Sequence, residues 1–548
     1  MKLVRYGASN MIVDTPHSGV TRTELIGHLT VTEVFYEPRV RLRTHFHELR
    51  MKRVLLRLIV FGCLVATRPA WADQLDFRLQ PPKRALTQAP AELSGLWLWR
   101  TEGYGYVIQV VGDLLKAFEV TDLSCIPSFQ ARQVEQDGSR VVFERVDDSS
   151  RLVFVGATGA ADQGRLTYTN AESAMILHRV DSFPAVCDRT TTDDSITNFD
   201  VFWETYREQY PFFHLHHVDW QATRDHFRPL VIHASPPELF GVLRAMIEPL
   251  HDHHTYIYST TDTSLDYGGE RPDPDPIGDA GRARALEIIQ NRFLVVPLLS
   301  LANGKVSFGM LRDSIGYLRV MGFGAYYADR SYERQGEDRF AADLRALDAA
   351  LDTIFAPSAG WRGLVIDMRF SGGGASALGL AIASRLATAP YTAYAIVARR
   401  DPNDPTLMTA PQLAMVVPSA RPGWHGPVVE LTSRYSVSAV ETFTQALMGR
   451  RPAVDRIGEH TNGVFSGVPN RHLPNRWIFG LPNELYLTER GTSFDVSGIP
   501  PTIPVPTLRT ADLAAGSDPG LDRAIAVLSA GRVDSPKEKS EHLAAAAH

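Results

Sequence analysis

Cysteine is scarce in this chain, three residues in 548. Cys63 falls in an N-terminal apolar segment, and neither Cys125 nor Cys187 sits in a recognisable nucleophile setting, so thiol catalysis is set aside. No apolar run reaches the ~20 residues that a membrane-spanning helix needs. There is no basic run, and with a net charge of −6 nothing points to nucleic acid as a partner. The phosphate-loop pattern G-x-x-x-x-G-K-[ST], the dinucleotide pattern G-x-G-x-x-G and the zinc pattern H-E-x-x-H are all missing. Internal repeats are missing as well. What remains is a chain 44% hydrophobic and 22% charged, ordinary for a globular protein and long enough for about three domains.

Residues 1–50 carry scattered charges and no apolar run. From Met51 the chain reads MKRVLLRLIVFGCLVATRPAWADQ. Lys52, Arg53 and Arg57 make a basic region, Leu58 to Ala66 an apolar core, and Ala70-Trp71-Ala72 an A-x-A cleavage site. That order predicts a signal peptide over 51–72, translation from Met51, and a non-native extension over 1–50. A lipid anchor at Cys63 fits poorly, because Phe61 precedes Gly62. Export predicts a periplasmic or secreted protein with no stable membrane insertion after cleavage. In that oxidising setting Cys125 and Cys187 are candidates for a disulfide, with two separately buried thiols as the alternative.

After a proline-containing linker, residues 92–190 carry short β-rich runs such as GLWLWRTEGYGYVIQVV, RVVFERV and RLVFVGA. They predict a small all-β barrel or sandwich. Residues 196–310 form a helical segment with a loop insertion. Apolar residues recur at helical spacing to about 250, LHDHHTYIYS turns into a strand, and a loop rich in Asp, Gly and Pro (260–281) reads as mobile or as a lid. Residues 311–530 alternate strand and helix, which predicts an α/β core with its active groups in loops at strand carboxyl ends. Residues 531–548 read as a flexible tail.

Two strand-to-helix turns carry chemistry. In DMRFSGGG (367–374), three glycines follow a buried-looking strand, so backbone N–H groups can face an anion with no Cβ in the way. In SRYSVSAVETF (433–443), Ser438 stands where an apolar strand gives way to a helix, the setting of a nucleophile elbow. Ser438 and Glu441 also spell the capping box S-x-x-E, a structural role compatible with catalysis. Arg369 reads as a structural partner of a nearby carboxylate or carbonyl. His214, His216, His217, His251, Asp252, His253 and His254 suggest a metal, but adjacent residues cannot all aim at one ion, so neither metal nor cofactor is expected.

Taken in order, these pieces resemble the S41 peptidase family of C-terminal processing proteases, the tricorn core protease and the retinoid-binding repeats. PLHDHHTYI (249–257) matches its D-x-H-[ST] segment, GLVIDMRFSGGG (363–374) its glycine segment, and SVSAVETF (436–443) its S-A-x-E. GEHTNG (458–463), GTSFDVSGIPPTIPV (491–505) and DPGLDRAIAVL (518–528) follow, so the likeness covers about 200–528. It implies a crotonase/ClpP-like α/β (α+β) catalytic core with an N-terminal helical segment, preceded by the β module.

The resemblance implies Ser438 as nucleophile. Processing proteases place a lysine base where Val464 stands here, and valine cannot take a proton. The tricorn-like branch uses a histidine at the position of His254, and neutral imidazole suits that task. Asp495, three before Gly498, matches the carboxylate that orients the histidine, with Glu484 and Glu489 as rivals. N–H groups of Gly372 or Gly373 and of Ala439 match the oxyanion hole. The chain departs from the family at His253 (serine in the tricorn-like tetrad), Ser371 (asparagine) and Pro501 (aspartate), and no PDZ-like module is recognisable between 256 and 310. The implied activity is hydrolysis of a peptide or protein by an exported serine peptidase, and an oligomer is compatible with the sequence. A catalytically inactive ligand-binding protein on the same fold is the alternative; retention of both serine and histidine favours the enzyme.

Overall fold

The computed structural model describes residues 96–156, 162–327 and 338–530. The expected N-terminal extension, signal peptide and C-terminal tail lie outside these residues.

The β module is a closed antiparallel barrel of β1 (Leu96–Thr101), β2 (Tyr106–Val111), β3 (Leu114–Val120), β4 (Cys125–Asp137), β5 (Arg140–Arg145), β6 (Arg151–Gly156), β7 (Gln163–Tyr168) and β8 (Met175–Arg179). β1 pairs with both β2 and β8, so the module has no free sheet edge. Period-2 alternation builds its interior: in β6, Leu152 and Phe154 are buried while Val155 is exposed. Cys125 at the start of β4 is joined by a disulfide to Cys187, in the short helical turn that leaves the barrel.

Next come α1 (Ser195–Gln209), α2 (Trp220–Phe227), α3 (Pro236–Ile247), β9 (Tyr256–Tyr258), β10 (Asp266–Gly268) and α4 (Gly278–Ile288). Asp194 and Asp219 cap α1 and α2, each carboxylate accepting from an N–H in the first turn. β11 (Leu299–Leu301), β12 (Val306–Leu311) and β13 (Ile315–Val320) lead into α5 (Arg339–Phe355). β14 (Gly363–Asp367), α6 (Ser376–Ser384), β15 (Tyr391–Ala398), β16 (Gln412–Val416), β17 (Val428–Thr432) and α7 (Ala439–Met448) follow. β18 (Asp455–Gly458), β19 (Asn470–His472), β20 (Ile478–Gly480), β21 (Glu484–Leu487), β22 (Ile503–Pro504), α8 (Thr510–Ala514) and α9 (Pro519–Ala530) close the described chain.

The central sheet has the order β11-β12-β13-β14-β17-β18-β22 and is parallel from β13 onward. Every residue of β14 and β17 is buried, because helices cover both faces. Leu364 and Ile366 join a core with Leu347 and Leu351 of α5, Ile382 of α6 and Phe443 of α7. Val365, between them, joins the opposite core with Ile288 of α4 and Leu521 and Ile525 of α9. β14 and β17 are parallel neighbours, Asp367 opposite Leu431. The glycine turn and the serine turn leave adjacent strand ends side by side, and this adjacency positions the site.

The loop over 260–281 is not a free lid. β10 pairs within it to β9, and Arg434 Nε donates to both carboxylate oxygens of Asp273 at 3.0 Å while its Nη2 donates to the Asp275 carbonyl at 2.6 Å. The barrel is also tied to the core: Glu484 on β21 accepts from Tyr104 (2.5 Å) and Ser173 (2.6 Å), and His472 Nδ1 lies 2.7 Å from Glu119. Among the described residues no helix is long and apolar enough to cross a membrane.

Candidate active site

Three serines lie within the turn after β17, and their hydrogen bonds separate them. Ser433 Oγ donates to the Arg369 carbonyl (3.0 Å) and accepts from the Tyr435 N–H (3.1 Å). Ser436 Oγ donates to the Met368 carbonyl (3.1 Å) and accepts from the Ser433 N–H (3.0 Å). Both hydroxyls thus fasten the turn to the chain leaving β14. Ser438 differs: it is half-buried at the start of α7 with φ 65° and ψ −127°, a strained conformation for a residue with a Cβ.

Beneath the turn lies a fully buried ion network. Arg369 donates to both oxygens of Asp367 (2.9 and 2.7 Å) and both oxygens of Asp518 (2.8 Å each), while Tyr317 donates to Asp367 at 2.8 Å. The paired guanidinium holds the Asp367 carboxyl below its ordinary range despite burial. Arg369 is therefore a structural fork that sets the direction of the glycine turn.

That turn is pressed against Ser438. A Cβ on Gly373 would fall 2.6 Å from Ser438 Cβ and 3.0 Å from its Oγ, and Gly373 has φ +89°. Gly374, at φ +135°, could carry no Cβ either, since it would meet the Phe323 carbonyl at 2.1 Å. The Gly373 carbonyl accepts from the Phe323 N–H at 2.8 Å, which turns the peptide and fixes its direction. Among the described residues the N–H groups of Gly372, Gly373 and Ala439 find no acceptor. Ala439 is the first residue of a helix, where the backbone dipole favours an anion.

Glu441 does more than cap α7. Its carboxylate is fully buried and accepts from the N–H groups of Ser438 (3.2 Å), Gly463 (2.6 Å) and Val464 (2.7 Å). The Ser438 N–H also reaches the Val464 carbonyl at 3.0 Å. Glu441 thereby joins the serine turn to the segment in which processing proteases carry their lysine. Burial outweighs these donors and lifts its carboxyl to about 7. The capping pattern gave no hint of this second role, because Gly463 and Val464 come from farther along the chain.

His254 is buried between Asp252 and β9. Its N–H donates to Asp252 Oδ1 at 2.8 Å, and Asp252 Oδ2 accepts from Tyr210 at 2.8 Å, so Asp252 holds the backbone of His254. Burial first, then the neighbouring His253, lower the His254 imidazole to about 3, against an opposing effect of the Ser466 backbone. It is a neutral base through the physiological range. Its Nδ1 is buried without a partner, and among the described residues no hydrogen bond joins His254 to Ser438 or to Asp495. His253 is engaged elsewhere, with Nδ1 2.9 Å from Asn462 Oδ1.

Asp495 is buried and hydrogen-bonded to Ser493. It shares a cavity of about 10 Å³ with Asp252, Gly463, Val464 and Ser466, which brings it to the same side of the site as the segments that carry His254 and Ser438. Burial, then Glu441 and Asp252 nearby, push its carboxyl up to about 8. Of the rival carboxylates, Glu484 faces the barrel through Tyr104 and Ser173, and Glu489 is exposed.

Residues 314–505 match the model described as Peptidase family S41. Over this α/β core the chain is similar to peptidase family S41. Its α1–α3 region, residues 195–248, matches the Tricorn protease C1 domain. Among solved structures it is similar to one described as a peptidase from Parabacteroides merdae ATCC 43184, with 24% identity over 61% of this chain and 96% of that one at a TM-score of 0.49. It is similar also to the photosystem II D1 C-terminal processing protease, with 13% identity over 57% and 93% at a TM-score of 0.33. For the tricorn protease the values are 14% identity over 77% of this chain and 43% of that one, at 0.37. No curated protein matches the sequence.

Gly373 gives a local test of the site. Gly373→Ala places a methyl group against Ser438 in a backbone region that alanine avoids. Its expected effect is a fall in kcat/KM of about 10²–10³, the usual cost of a lost oxyanion donor, with an unchanged far-ultraviolet circular dichroism spectrum. An unchanged kcat/KM would remove Gly373 from the site.

Proposed function

We propose that this chain is an exported serine peptidase of family S41 that cleaves peptide bonds through an acyl-enzyme. Ser438 Oγ attacks the scissile carbonyl and its proton passes to the His254 imidazole. The carbonyl oxygen, now anionic, is held by the N–H groups of Gly372 or Gly373 and of Ala439. His254 then protonates the leaving amine as the C–N bond breaks, and water hydrolyses the ester by the same steps in reverse order of roles. Asp495 orients the imidazole and balances its transient charge. The observation that carries this reading is the close contact of Gly373 with a strained Ser438, beside N–H groups that have no acceptor among the described residues. The Cys125–Cys187 disulfide supports export, since such bonds persist in oxidising compartments.

A second reading, a non-hydrolytic peptide-binding protein on the same fold, is favoured by one observation, the unpartnered Nδ1 of His254. A serine-reactive fluorophosphonate separates the two. Wild type is expected to be labelled, Ser438→Ala not at all, and His254→Ala far more slowly. Absence of labelling in folded wild type establishes the binding reading, and labelling that survives in Ser438→Ala assigns the nucleophile elsewhere.

A further inference from the structure

The barrel stands outside the matched family regions, yet one of its loops reaches both segments that carry the acid–base half of the proposed site. The loop joins β1 to β2 and reads Glu102-Gly103-Tyr104-Gly105. Tyr104 is buried, and its hydroxyl donates to Glu484 Oε1 at 2.5 Å. From the loop between β7 and β8, Ser173 donates to the same oxygen at 2.6 Å. The Gly103 carbonyl accepts from Asn483 Nδ2 at 3.2 Å, and the Tyr104 carbonyl from the fully buried Arg471 through Nη2 at 2.6 Å. Glycine is required on both sides of the tyrosine. φ is +77° at Gly103 and +65° at Gly105, and a Cβ on either would collide, with Ala398 Cβ at 2.9 Å and with Gln209 Nε2 at 2.4 Å.

Two routes lead from this loop into the site. The first runs through Asn483 and Glu484, whose backbone N–H groups donate to Ser466 Oγ at 3.2 and 3.1 Å. Ser466 is buried and lines the small cavity together with Asp495 and Asp252. The second runs through Arg471, whose Nη2 donates to Gln209 Oε1 at 2.6 Å as well as to the Tyr104 carbonyl. Gln209 ends α1. The next residue, Tyr210, donates to the Asp252 carboxylate that holds the His254 N–H, at 2.8 Å in each bond. Ser438 and the glycine turn, by contrast, are placed by the central sheet, at the ends of β17 and β14. The nucleophile half of the site comes from the sheet, and the acid–base half is braced from the barrel.

We propose that the barrel completes the peptidase site, with Tyr104 as a positioning residue that sets His254 and Asp495 against Ser438. This rests on the peptidase reading above. A proton passes from Ser438 to His254 only where the two come within hydrogen-bond reach. A shift of the acid–base half against the nucleophile half therefore slows the reaction without altering either side chain. Each link in the two routes engages a buried group, and a buried polar group that loses its partner carries its full desolvation cost, so the links favour one arrangement of these segments. Removing the Tyr104 hydroxyl takes from the Glu484 carboxylate one of its two barrel donors. The start of β21 is then free to move, and Ser466, bonded to its backbone, moves with it.

The test compares the full chain with Tyr104→Phe, Ser173→Ala and Tyr168→Phe. The last is the control, since it removes a barrel hydroxyl that accepts from Arg145 at 3.0 Å and belongs to neither route. Labelling by the fluorophosphonate is followed over a range of probe concentrations, which separates the maximal rate from half-saturation. Tyr104→Phe and Ser173→Ala are each expected to lower the maximal rate about tenfold, the effect of one lost hydrogen bond on a barrier, with half-saturation unchanged. Tyr168→Phe is expected to label as wild type does. A wild-type maximal rate in Tyr104→Phe, a loss confined to half-saturation, or an equal loss in Tyr168→Phe overturns the proposal and leaves the peptidase reading standing. Hydrogen–deuterium exchange of the same proteins adds a readout that needs no chemistry. Peptides covering 250–258 and 463–467 are expected to exchange faster in Tyr104→Phe than in wild type, and α6 at the same rate. If folded wild type is not labelled, the peptidase reading falls and exchange alone decides the role of the barrel, unchanged protection of both segments overturning it.

Discussion

Ser438→Ala and His254→Ala are each expected to lower kcat/KM for peptide hydrolysis by on the order of 10⁴ to 10⁶, and the double variant by no more than either alone. A nucleophile and its base act as one unit, so removing the second partner after the first costs nothing further. That non-additivity is the decisive measurement, since additive losses would mean that His254 acts independently of Ser438. Ser433→Ala and Ser436→Ala serve as contrasts. Their hydroxyls bond backbone carbonyls of the β14 extension, so their loss is expected to appear mainly in thermal stability. Ser438→Gly adds a second readout. Glycine accepts φ 65° without strain, so this variant is expected to melt higher than wild type while remaining inactive, since such backbone strain costs about 1–3 kcal/mol. A gain in stability joined to a loss of chemistry is the signature of a residue held in place for function.

The parts of this molecule legible in sequence are those whose cause is local. α7 could be bounded from its S-x-x-E start, and β14 and β17 from short, mostly apolar runs of the kind found in strands covered on both faces. The alternation of strand and helix announced an α/β core, and Ser438 with the glycine turn could be found by their place at strand ends. Strand order was not legible, because the adjacency of β14 and β17 depends on crossovers that no local pattern encodes. β4 escaped notice through its polar outer half, and β19 and β20 through being three residues long. The loop over 260–281 looked mobile from its composition, yet Arg434, more than 150 residues away, clamps it. The same holds within the site. Glu441 meets Gly463 and Val464 through contacts that only the fold creates.

Asp495→Asn is expected to raise the melting temperature by several degrees at pH 8, to change it little at pH 4.5, and to lower kcat/KM by about 10⁴, the cost of an amide in place of the carboxylate in a Ser-His-Asp system. The sign follows from burial. In the fold the Asp495 carboxyl is pushed up to about 8, by desolvation first and then by Glu441, itself lifted to about 7, and by Asp252, which burial also raises. In the unfolded chain the same group ionises near 3.9. The folded state therefore binds the proton more tightly, and the stability this confers is complete below pH 4 and lost progressively as pH rises toward 8. Asparagine has no charge to bury, so its advantage over aspartate grows across that window. Activity runs the other way. In the proposed mechanism only an ionised Asp495 balances the charge on His254, so kcat/KM of wild type is expected to climb as pH rises through about 8, while His254, neutral above about pH 4, sets no limb in that range. Measuring melting temperature and kcat/KM of both proteins from pH 4.5 to 9 resolves the matter. A stability gain with activity retained would leave Asp495 as a buried liability and put the orienting role on another group. Equal melting at pH 8 would mean that the carboxyl is ionised in the fold without cost, contrary to its burial beside two other acids.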